Sequence, residues 1–538
     1  MKSRKIISIT LALITALFAV MSCIPTALAA EYQANGATYF TFTDGGITAS
    51  EGTYDSYKIE GTSLTINDSG TYVLSGSCAD GSVKVKRGTT GVTLVLSGLT
   101  LTSSTTAPIA CNKSTEVRII VASGSVNALT DSAKNNDDNY PDNTYAENAV
   151  IKCKDGSQVT LSGSGTLNIT ANGKSGIKSG ATTDEEGEAR MTISDLTLNI
   201  TASVNDAINA EQLLNVTSGN ITISAGDDAI HSDYILNIGS ENGEGPVINI
   251  KNCHGGLEAA TLNVYSGNIT IHASDDCLNA ANSDLSGYAF SLNIYGGTLV
   301  MDTTSGDGVD SNGSLTISGG TLVVWSANTA DNQPLDADGT ITISGGTVLA
   351  AGGSNGMGMN LSASQPYVIY GSGDTNDTKG GFTGGNPYGG FPGNAGSSVS
   401  ISSGSTIALK DSSGSTVYSG EALCSASVLI FSSSALENGE TYTLYVNNTE
   451  TGTATASADG SGSTGGNSGN QPSGNQSGSN TTSNDQTDSF ETDAPDNSSA
   501  DSTASSSSDS NTGLWIAIGV LSAALAVIII LLCKTHKK

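Results

Sequence analysis

Short alternating runs of apolar and polar residues fill the chain between about residues 60 and 360. Their apolar members are mostly Ile, Leu and Val, and their polar members are mostly Asn and Thr, as in segments 167–169, 198–200, 221–223, 269–271 and 292–294. An alternation of period two places aliphatic side chains on one face of a β-strand and polar ones on the other. No helical period precedes the apolar segment near the C-terminus. The pattern therefore predicts an all-β domain.

A second pattern follows many of these strands: a polar turn that ends in Asp and a small residue, and then an aliphatic residue. The aliphatic members recur at spacings of 22, 27, 21, 31 and 26 residues, at Ile208, Ile230, Leu257, Leu278, Val309 and Leu335. A repeat of this length without helices predicts one solenoid coil per copy, with these side chains stacked in one interior column. Glycine pairs such as Gly296 and Gly297 are expected at the sharp corners, where φ is positive. We therefore predict a parallel β-helix of roughly a dozen coils.

Stacked coils would turn the recurring Asp into a column of carboxylates. Coils stack at about 4.8 Å, and two carboxylates ~5 Å apart repel by roughly 1 to 3 kcal/mol near a surface. Calcium takes six to eight oxygen ligands in flexible geometry and is the natural counter-ion outside the cell. We predict that calcium binds part of the set Asp206, Asp227, Asp228, Asp275, Asp276, Asp307 and Asp310. The alternative is that Asp recurs because it hydrogen-bonds to the backbone of tight turns.

The same register aligns four unusual residues on one outward stripe: Lys251, His272, Asp302 and Trp325. Lys251 is the only Lys or Arg between Met191 and Thr378, and Trp325 is the only Trp outside the C-terminal apolar segment. This combination predicts a ligand-binding surface. The alternative is an ordinary polar stripe in which Trp325 covers a neighbouring coil.

Composition limits the partners. A formal net charge of -30 argues against nucleic acids and anionic lipids, which need clustered Lys and Arg, and favours cations or ligands bound through them. The six cysteines between the two ends of the chain, Cys78, Cys111, Cys153, Cys253, Cys277 and Cys424, are too sparse for a disulfide-rich scaffold. Buried free thiols are favoured, although Cys111 and Cys153 follow similar strings and would stack if their coils are neighbours.

Both ends of the chain carry targeting signals. Residues 1–30 have the basic start, apolar run and Ala-Leu-Ala site of a secretory signal peptide, whereas residues 513–533 are apolar and long enough to span a bilayer. The basic residues at 534–538 predict a cytoplasmic C-terminus, and so a single-pass protein on the extracellular face of the membrane. Between these ends we predict the β-helix with an N-terminal cap at 31–365, a small β region with a Gly-rich loop at 366–447, and a disordered Gly/Ser/Asn/Thr linker at 448–512.

Several stretches resemble one known family. They are the early segment 69–76 and the runs Gly226-Asp227-Asp228-Ala229-Ile230-His231, Gly255-Gly256-Leu257-Glu258-Ala259-Ala260, Asp275-Asp276-Cys277-Leu278-Asn279 and Gly306-Asp307-Gly308-Val309-Asp310. In this order they resemble the bacterial carbohydrate-binding β-helix family that is structurally similar to polysaccharide lyases. The resemblance spans about residues 60 to 450, and Cys277 stands where a Gly is more usual. It implies a right-handed parallel β-helix, calcium, and binding of cellulose or acidic polysaccharides.

Three classes of function remain. The first is a surface protein that binds a polysaccharide, whether cellulose, a pectin-like polymer or another wall or host glycan, with calcium bridging to uronic acids. The second is a calcium-dependent polysaccharide lyase, for which Lys251 is the candidate catalytic base, with His272 or His254 as poorer alternatives. The third is a structural or adhesive stalk. We expect binding without catalysis, because this face offers no further cations to hold an anionic substrate.

Overall fold

Parallel strand pairing dominates the computed structural model, which describes residues 36–50, 52–181, 190–329, 332–353, 360–371 and 399–458. All 38 regular elements in these residues are β-strands, and 34 of them belong to one continuous hydrogen-bonded sheet. Within the same residues, no helix has the length and apolar character needed to cross a membrane. The predicted all-β class is therefore confirmed for the part of the chain that the structure describes.

The chain passes repeatedly through three parallel ladders, and each passage is here called a coil. Strands of the first ladder are Thr38–Thr43, Gly70–Cys78, Val92–Ser103, Glu116–Val121, Gln158–Gly163, Arg190–Ile193, Leu213–Val216, Ile230–Ile238, Leu257–Val264, Ser291–Ile294, Ser314–Ile317, Ile341–Ile343 and Leu361–Ala363. The second ladder takes the ends of Gly70–Cys78 and Val92–Ser103 and continues through Val126–Asp131, Thr166–Ala171, Thr197–Ala202, Asn220–Ala225, Val247–Cys253, Asn268–Ala273, Thr298–Thr303, Thr321–Trp325 and Thr347–Gly352. The third contains Ser63–Ile66, Ser82–Val85, Ile109–Cys111, Ala149–Cys153, Ser175–Ser179, Ile208–Ala210, the first residues of Ile230–Ile238 and Leu257–Val264, Leu278–Ala280 and Val309–Ser311.

The predicted column of aliphatic residues lies in the third ladder. Ile208 pairs with Ile230, Ile230 with Leu257, Leu257 with Leu278, and Leu278 with Val309. All five side chains are fully buried in one continuous core, together with Leu335 beyond the last strand of the ladder. Burial of an aliphatic side chain contributes ~1.5 to 3 kcal/mol, so this column holds successive coils in register.

Glycine at the corners follows the predicted pattern. The second residue of each pair has positive φ: Gly297 at 88°, Gly320 at 78° and Gly346 at 84°. A β-carbon on Gly346 would also lie 2.8 Å from the carbonyl oxygens of Gly319 and Gly320. Only glycine satisfies both the backbone conformation and the close approach of the preceding coil.

Antiparallel strands flank the three ladders at both ends. Gly46–Ala49 pairs with Thr38–Thr43, and Tyr57–Glu60 pairs with Ser63–Ile66. At the other end, Val428–Ser433 runs antiparallel to Thr347–Gly352 and to Tyr367–Tyr370. A separate four-stranded antiparallel sheet contains Thr406–Lys410, Thr416–Glu421, Thr441–Val446 and Thr449–Thr455.

The structure moves one predicted boundary. The linker was expected from residue 448, but Thr449–Thr455 is a strand paired with Thr441–Val446, because its threonines suit an exposed sheet edge. The predicted signal peptide, the Gly-rich loop, the linker beyond residue 458 and the membrane segment lie outside the described residues. All six cysteines of the described residues are free thiols. Cys111 and Cys153 occupy paired positions in neighbouring coils, as their similar strings suggested.

Candidate functional site

The recurring turn Asp residues line the approach to the third ladder. Asp206 is buried, and Asp228, Asp276 and Asp307 are half-buried, at equivalent positions just before the aliphatic column. Three of them accept from the backbone of the next coil: Asp206 Oδ1 from Asp228 N at 3.2 Å, Asp276 Oδ1 from Asp307 N at 2.7 Å, and Asp307 Oδ1 from Gln333 N at 2.5 Å. These three bonds tie neighbouring coils together. Asp206 Oδ2 accepts from Asn209 Nδ2 at 2.6 Å, whereas the second oxygens of Asp276 and Asp307 are left for other partners.

A second line of polar residues follows the aliphatic column. Pairing of the third ladder puts Asn209, His231, Glu258, Asn279 and Asp310 at successive positions. Asp336 donates its backbone N–H to the carbonyl of Val309, so it occupies the next position beyond Asp310. These six side chains, with the turn aspartates beside them, form what we call the carboxylate face.

Three carboxylates converge at one end of this face. Oxygens of Asp307, Asp310 and Asp336 lie within 4.8 Å of one another. Burial, followed by repulsion from neighbouring carboxylates, raises the pKa of Asp307 and of Asp310 to about 7. No ion pair joins any of the three to a Lys, Arg or His among the residues that the structure describes. The cluster thus concentrates negative charge without a cation of its own.

The other acidic cluster on the face already contains a cation. Asp228 Oδ2 lies 3.1 Å from His231 Nδ1, Asp233 Oδ1 lies 2.9 Å from His231 Nε2, and Glu258 Oε1 lies 3.4 Å from Nδ1. Burial alone would lower the pKa of His231, but hydrogen bonds to Asp228 and Asp233 raise it to about 10. His231 is therefore an imidazolium at neutral pH, and it offsets the carboxylates that surround it.

This difference decides which cluster suits calcium. At Asp307, Asp310 and Asp336 the donors are all carboxylate oxygens, the type that calcium prefers, and no side-chain cation of the described residues is paired with them. Asn279, the next residue along the line, has a buried Oδ1 without a hydrogen-bond partner, while its Nδ2 donates to Glu258 Oε2 at 3.0 Å. A buried, unpaired amide oxygen costs ~1 to 3 kcal/mol, and a bound cation would relieve that cost. The donor set at this end therefore fits calcium.

Three of the other predicted metal ligands, Asp227, Asp275 and Asp276, lie beside the His231 cluster. Asp227, Asp228, Asp275 and Asp276 line a cleft of ≈ 200 Å³, together with His254, Gly255, Gly256, Glu258 and Asn279. Burial and repulsion by Asp275 and Asp336 raise the pKa of Asp276 to about 6. Asp275 Oδ2 lies 3.6 Å from His254 Nδ1. A β-carbon on Gly255 would lie 2.3 Å from Asp228 Oδ1, so glycine interrupts the Asp column where Asp228 needs the room.

The predicted outward stripe lies on the second ladder and is only partly assembled. His272 pairs with Asp302, and His272 Nδ1 lies 2.6 Å from Asp302 Oδ1. Lys251 was expected beside Ser224, but a bulge follows Ile250 and Asn252 takes that position. One extra residue in a strand shifts every later side chain, which period-two alternation does not reveal. Lys251 remains exposed within the bulge.

Trp325 differs most from its predicted place. It pairs with Asp302 in the second ladder as the pattern requires, but its side chain is 0% exposed. It packs in a second core with Leu349, Tyr370 and Phe431, which the C-terminal strands bring over this ladder. The prediction that Trp325 lies on an exposed ligand surface is therefore wrong, because the C-terminal β region covers it.

Sequence reasoning missed the part that His231 plays in the carboxylate face. His231 was placed in the correct column, but its contacts were not foreseen: Asp228 and Asp233 flank it in the same segment, and Glu258 comes from the next coil. The sequence did offer a signal for this role: His231 is one of only four histidines, and it directly follows the repeat that contains the pair Asp227 and Asp228.

Part of the chain is similar to known proteins. Residues 60–356, more than half of the chain, match the family described as "Carbohydrate-binding domain-containing protein". A protein of that description from Acetivibrio thermocellus is 32% identical over 124 residues, which are 23% of this chain and 42% of that relative. A solved structure described as the polysaccharide lyase-like protein from C. thermocellum, gadolinium derivative, is 24% identical with a TM-score of 0.38, covering 52% of this chain and 96% of that one. The chain belongs to the family of carbohydrate-binding domain-containing proteins.

Proposed function

We propose that this protein is a cell-surface carbohydrate-binding protein that recognises cellulose, acidic polysaccharides built from uronic acids, or both, and binds acidic chains with the help of calcium. The observation that carries the proposal is the cluster of Asp307, Asp310 and Asp336, whose oxygens lie within 4.8 Å of one another and form no ion pair with a Lys, Arg or His in the part of the chain that the structure describes. Membership of the family supports a carbohydrate ligand. The carboxylate cluster supports an acidic carbohydrate, because a calcium ion held there could also bind the carboxylates of the ligand.

Charge explains why a cation is needed between the protein and such a ligand. The chain carries a formal net charge of -30, so a polyuronate would be repelled from this acidic face. Calcium, held by Asp307, Asp310 and Asp336 with Asn279 beside them, would supply positive charge and open coordination positions for carboxylates of the ligand.

The architecture supports an extended binding surface. We infer that the three parallel ladders enclose a right-handed parallel β-helix, as the resemblance of the sequence implies. The carboxylate face then follows the axis of the stack, and a polysaccharide is itself a linear repeat. The signal peptide and the membrane segment inferred from the sequence would display this surface outside the cell.

The test is binding of the full chain to polygalacturonate in calcium and in chelator. We expect calcium-dependent binding that the Asp307→Asn, Asp310→Asn double variant loses. Asp284→Asn is the matched control, because Asp284 is exposed and outside the cluster, so it should bind as the wild type does. Equal binding with and without calcium would overturn the proposed role of the cation.

A further inference from the structure

Asparagine side chains form a continuous hydrogen-bonded row on the first ladder, away from the carboxylate face. Asn237 Nδ2 donates to Asn215 Oδ1 at 2.9 Å, Asn263 Nδ2 to Asn237 Oδ1 at 2.9 Å, and Asn293 Nδ2 to Asn263 Oδ1 at 3.0 Å. The row continues as Thr316 and then Thr342 in the following coils. All of these side chains are half-buried, so the row is fixed in position and still reaches solvent.

Each amide in this row has hydrogen-bonding capacity left over. An Asn side chain offers two N–H donors and two acceptor lone pairs, and the row uses one donor and one lone pair of each interior member. Asn237 and Asn263 therefore each keep one donor and one acceptor. A surface that repeats one donor and one acceptor about every 4.8 Å matches a ligand covered with hydroxyl groups, which also donate and accept.

Aromatic rings lie beside the row. Tyr265 and Tyr295 each follow two residues after an Asn of the row, and their rings stack at 5.0 Å with an interplanar angle of 11°. Tyr295 is 46% exposed. Gly239 and Ser318 occupy the equivalent positions in the flanking coils, so neither brings a ring-sized side chain against the outer faces of the pair. Because Tyr295 is 46% exposed, the pair offers apolar ring surface to a ligand ring.

A second aromatic group borders the row on its other side. Tyr288 Oη lies 3.0 Å from Thr261 Oγ1, and Thr261 is two residues before Asn263 on the same strand. The Tyr288 ring contacts Tyr234 at 6.2 Å and Phe290 at 5.5 Å between centroids. The amide row thus runs between two groups of aromatic residues.

Charge on this surface differs from that of the carboxylate face. A cavity of ≈ 320 Å³ is lined by Tyr265, Tyr295 and Glu241, so its one charged lining residue is acidic. An acidic residue repels a uronate carboxylate, and a single carboxylate is a poor calcium site because calcium takes six to eight oxygen ligands. The cavity therefore favours a neutral ligand without a metal.

We propose that the Asn215–Asn293 row and the Tyr265–Tyr295 pair form a second, calcium-independent binding site for a neutral polysaccharide chain. Pyranose rings pack on the tyrosine faces, and ring hydroxyls exchange hydrogen bonds with the amides of the row. The site rests on the proposed carbohydrate-binding function but uses a different ladder from the calcium cluster. One protein would then hold neutral and acidic chains at once.

The experiment measures binding of cellohexaose and of a neutral mannohexaose to the full chain in chelator, by calorimetry. We expect the wild type to bind at least one of them, and the Tyr265→Ala, Tyr295→Ala double variant to bind it about tenfold more weakly, as loss of two aromatic contacts implies. Tyr145→Ala removes a tyrosine that is 68% exposed in another part of the molecule, and it should leave the affinity unchanged.

Tyr295→Phe keeps the ring and removes only the hydroxyl, so its affinity should stay within about twofold of the wild type if stacking is responsible. A loss as large as that of the alanine variant, or equal binding by the wild type and the double alanine variant, would overturn the proposal. So would the failure of the wild type to bind either oligosaccharide. Calcium-dependent binding to polygalacturonate should survive in the double tyrosine variant, so this site and the calcium cluster can fail separately.

Discussion

Neutralising Asp310 should have opposite effects on stability with and without calcium. Asp310 has carboxylate neighbours Asp307 and Asp336 within 4.8 Å. At that separation two unit charges repel by roughly 3 kcal/mol at an effective dielectric constant of ~20, and partial exposure of the cluster reduces this. We therefore expect Asp310→Asn to stabilise the calcium-free protein by about 1 to 3 kcal/mol at a pH above 7, where Asp307 and Asp310 are ionised in the wild type. For a folded region of several hundred residues, that corresponds to an increase in Tm of roughly 1 to 4 °C.

Calcium should reverse the order of the two proteins. A ligand that binds only the folded state stabilises it by about 2.7 kcal/mol at a hundred times its Kd, so millimolar calcium should raise the Tm of the wild type by a few degrees. Asp310→Asn lacks one ligand and should gain less. Calorimetric unfolding in chelator and in calcium measures both effects, with Asp284→Asn as the control for a lost surface charge. A lower Tm of Asp310→Asn in chelator, or an equal calcium shift in both proteins, would refute the reasoning.

Further predictions concern pH, His231, Trp325 and catalysis. The folded-state pKa values of Asp307 and Asp310 are raised from 3.8 to about 7, so their contribution to stability is fully present below the unfolded pKa and is lost as pH rises through about 7. The Tm in chelator should therefore fall as the pH is raised from the unfolded pKa to about 7. Saturating calcium should abolish most of this fall in Tm. His231→Gln should lower the free energy of unfolding by roughly 2 to 4 kcal/mol, because it leaves partly buried carboxylates without their cation, whereas His272→Gln, at an exposed pair, should cost less than about 1 kcal/mol in the same denaturant titration. Trp325→Ala should destabilise the protein by about 3 to 5 kcal/mol and leave polysaccharide affinity unchanged below the melting transition, so a selective loss of affinity would contradict the burial of this residue. Incubation with uronic acid polymers should release no unsaturated products absorbing in the ultraviolet; their appearance, and their loss in Lys251→Ala, would identify a lyase instead.

The ladders were predictable because each coil repeats the same local signal. Ile208, Ile230, Leu257, Leu278 and Val309 all follow one turn phrase, and the burial of one side chain per coil leaves a single register in which they stack. The placement of the turn aspartates follows from the same register. Periodicity within one ladder thus suffices to align residues far apart in the sequence.

Features that depend on more than one segment escaped prediction. The bulge after Ile250 moves Lys251 out of its column, and nothing in the alternation marks the extra residue. The burial of Trp325 depends on strand Val428–Ser433, about a hundred residues later, which has no counterpart in the repeat. The amide row was visible only as a preference for Asn at outward positions, and its binding role depends on tyrosines outside the repeated phrase.

The strand Val428–Ser433 has a consequence for how copies of the protein meet. It runs antiparallel along Thr347–Gly352, the last parallel strand of the second ladder, and so takes up hydrogen-bonding groups that a further coil would otherwise use. A parallel ladder that ends in an open edge is a template for another chain, and end-to-end growth of such stacks produces fibres. The other side of Val428–Ser433 is paired with Tyr367–Tyr370, so this ladder ends in strands of the same chain and not in an open parallel edge. The C-terminal β region thus covers the end of the second ladder and disfavours end-to-end growth of one copy on another.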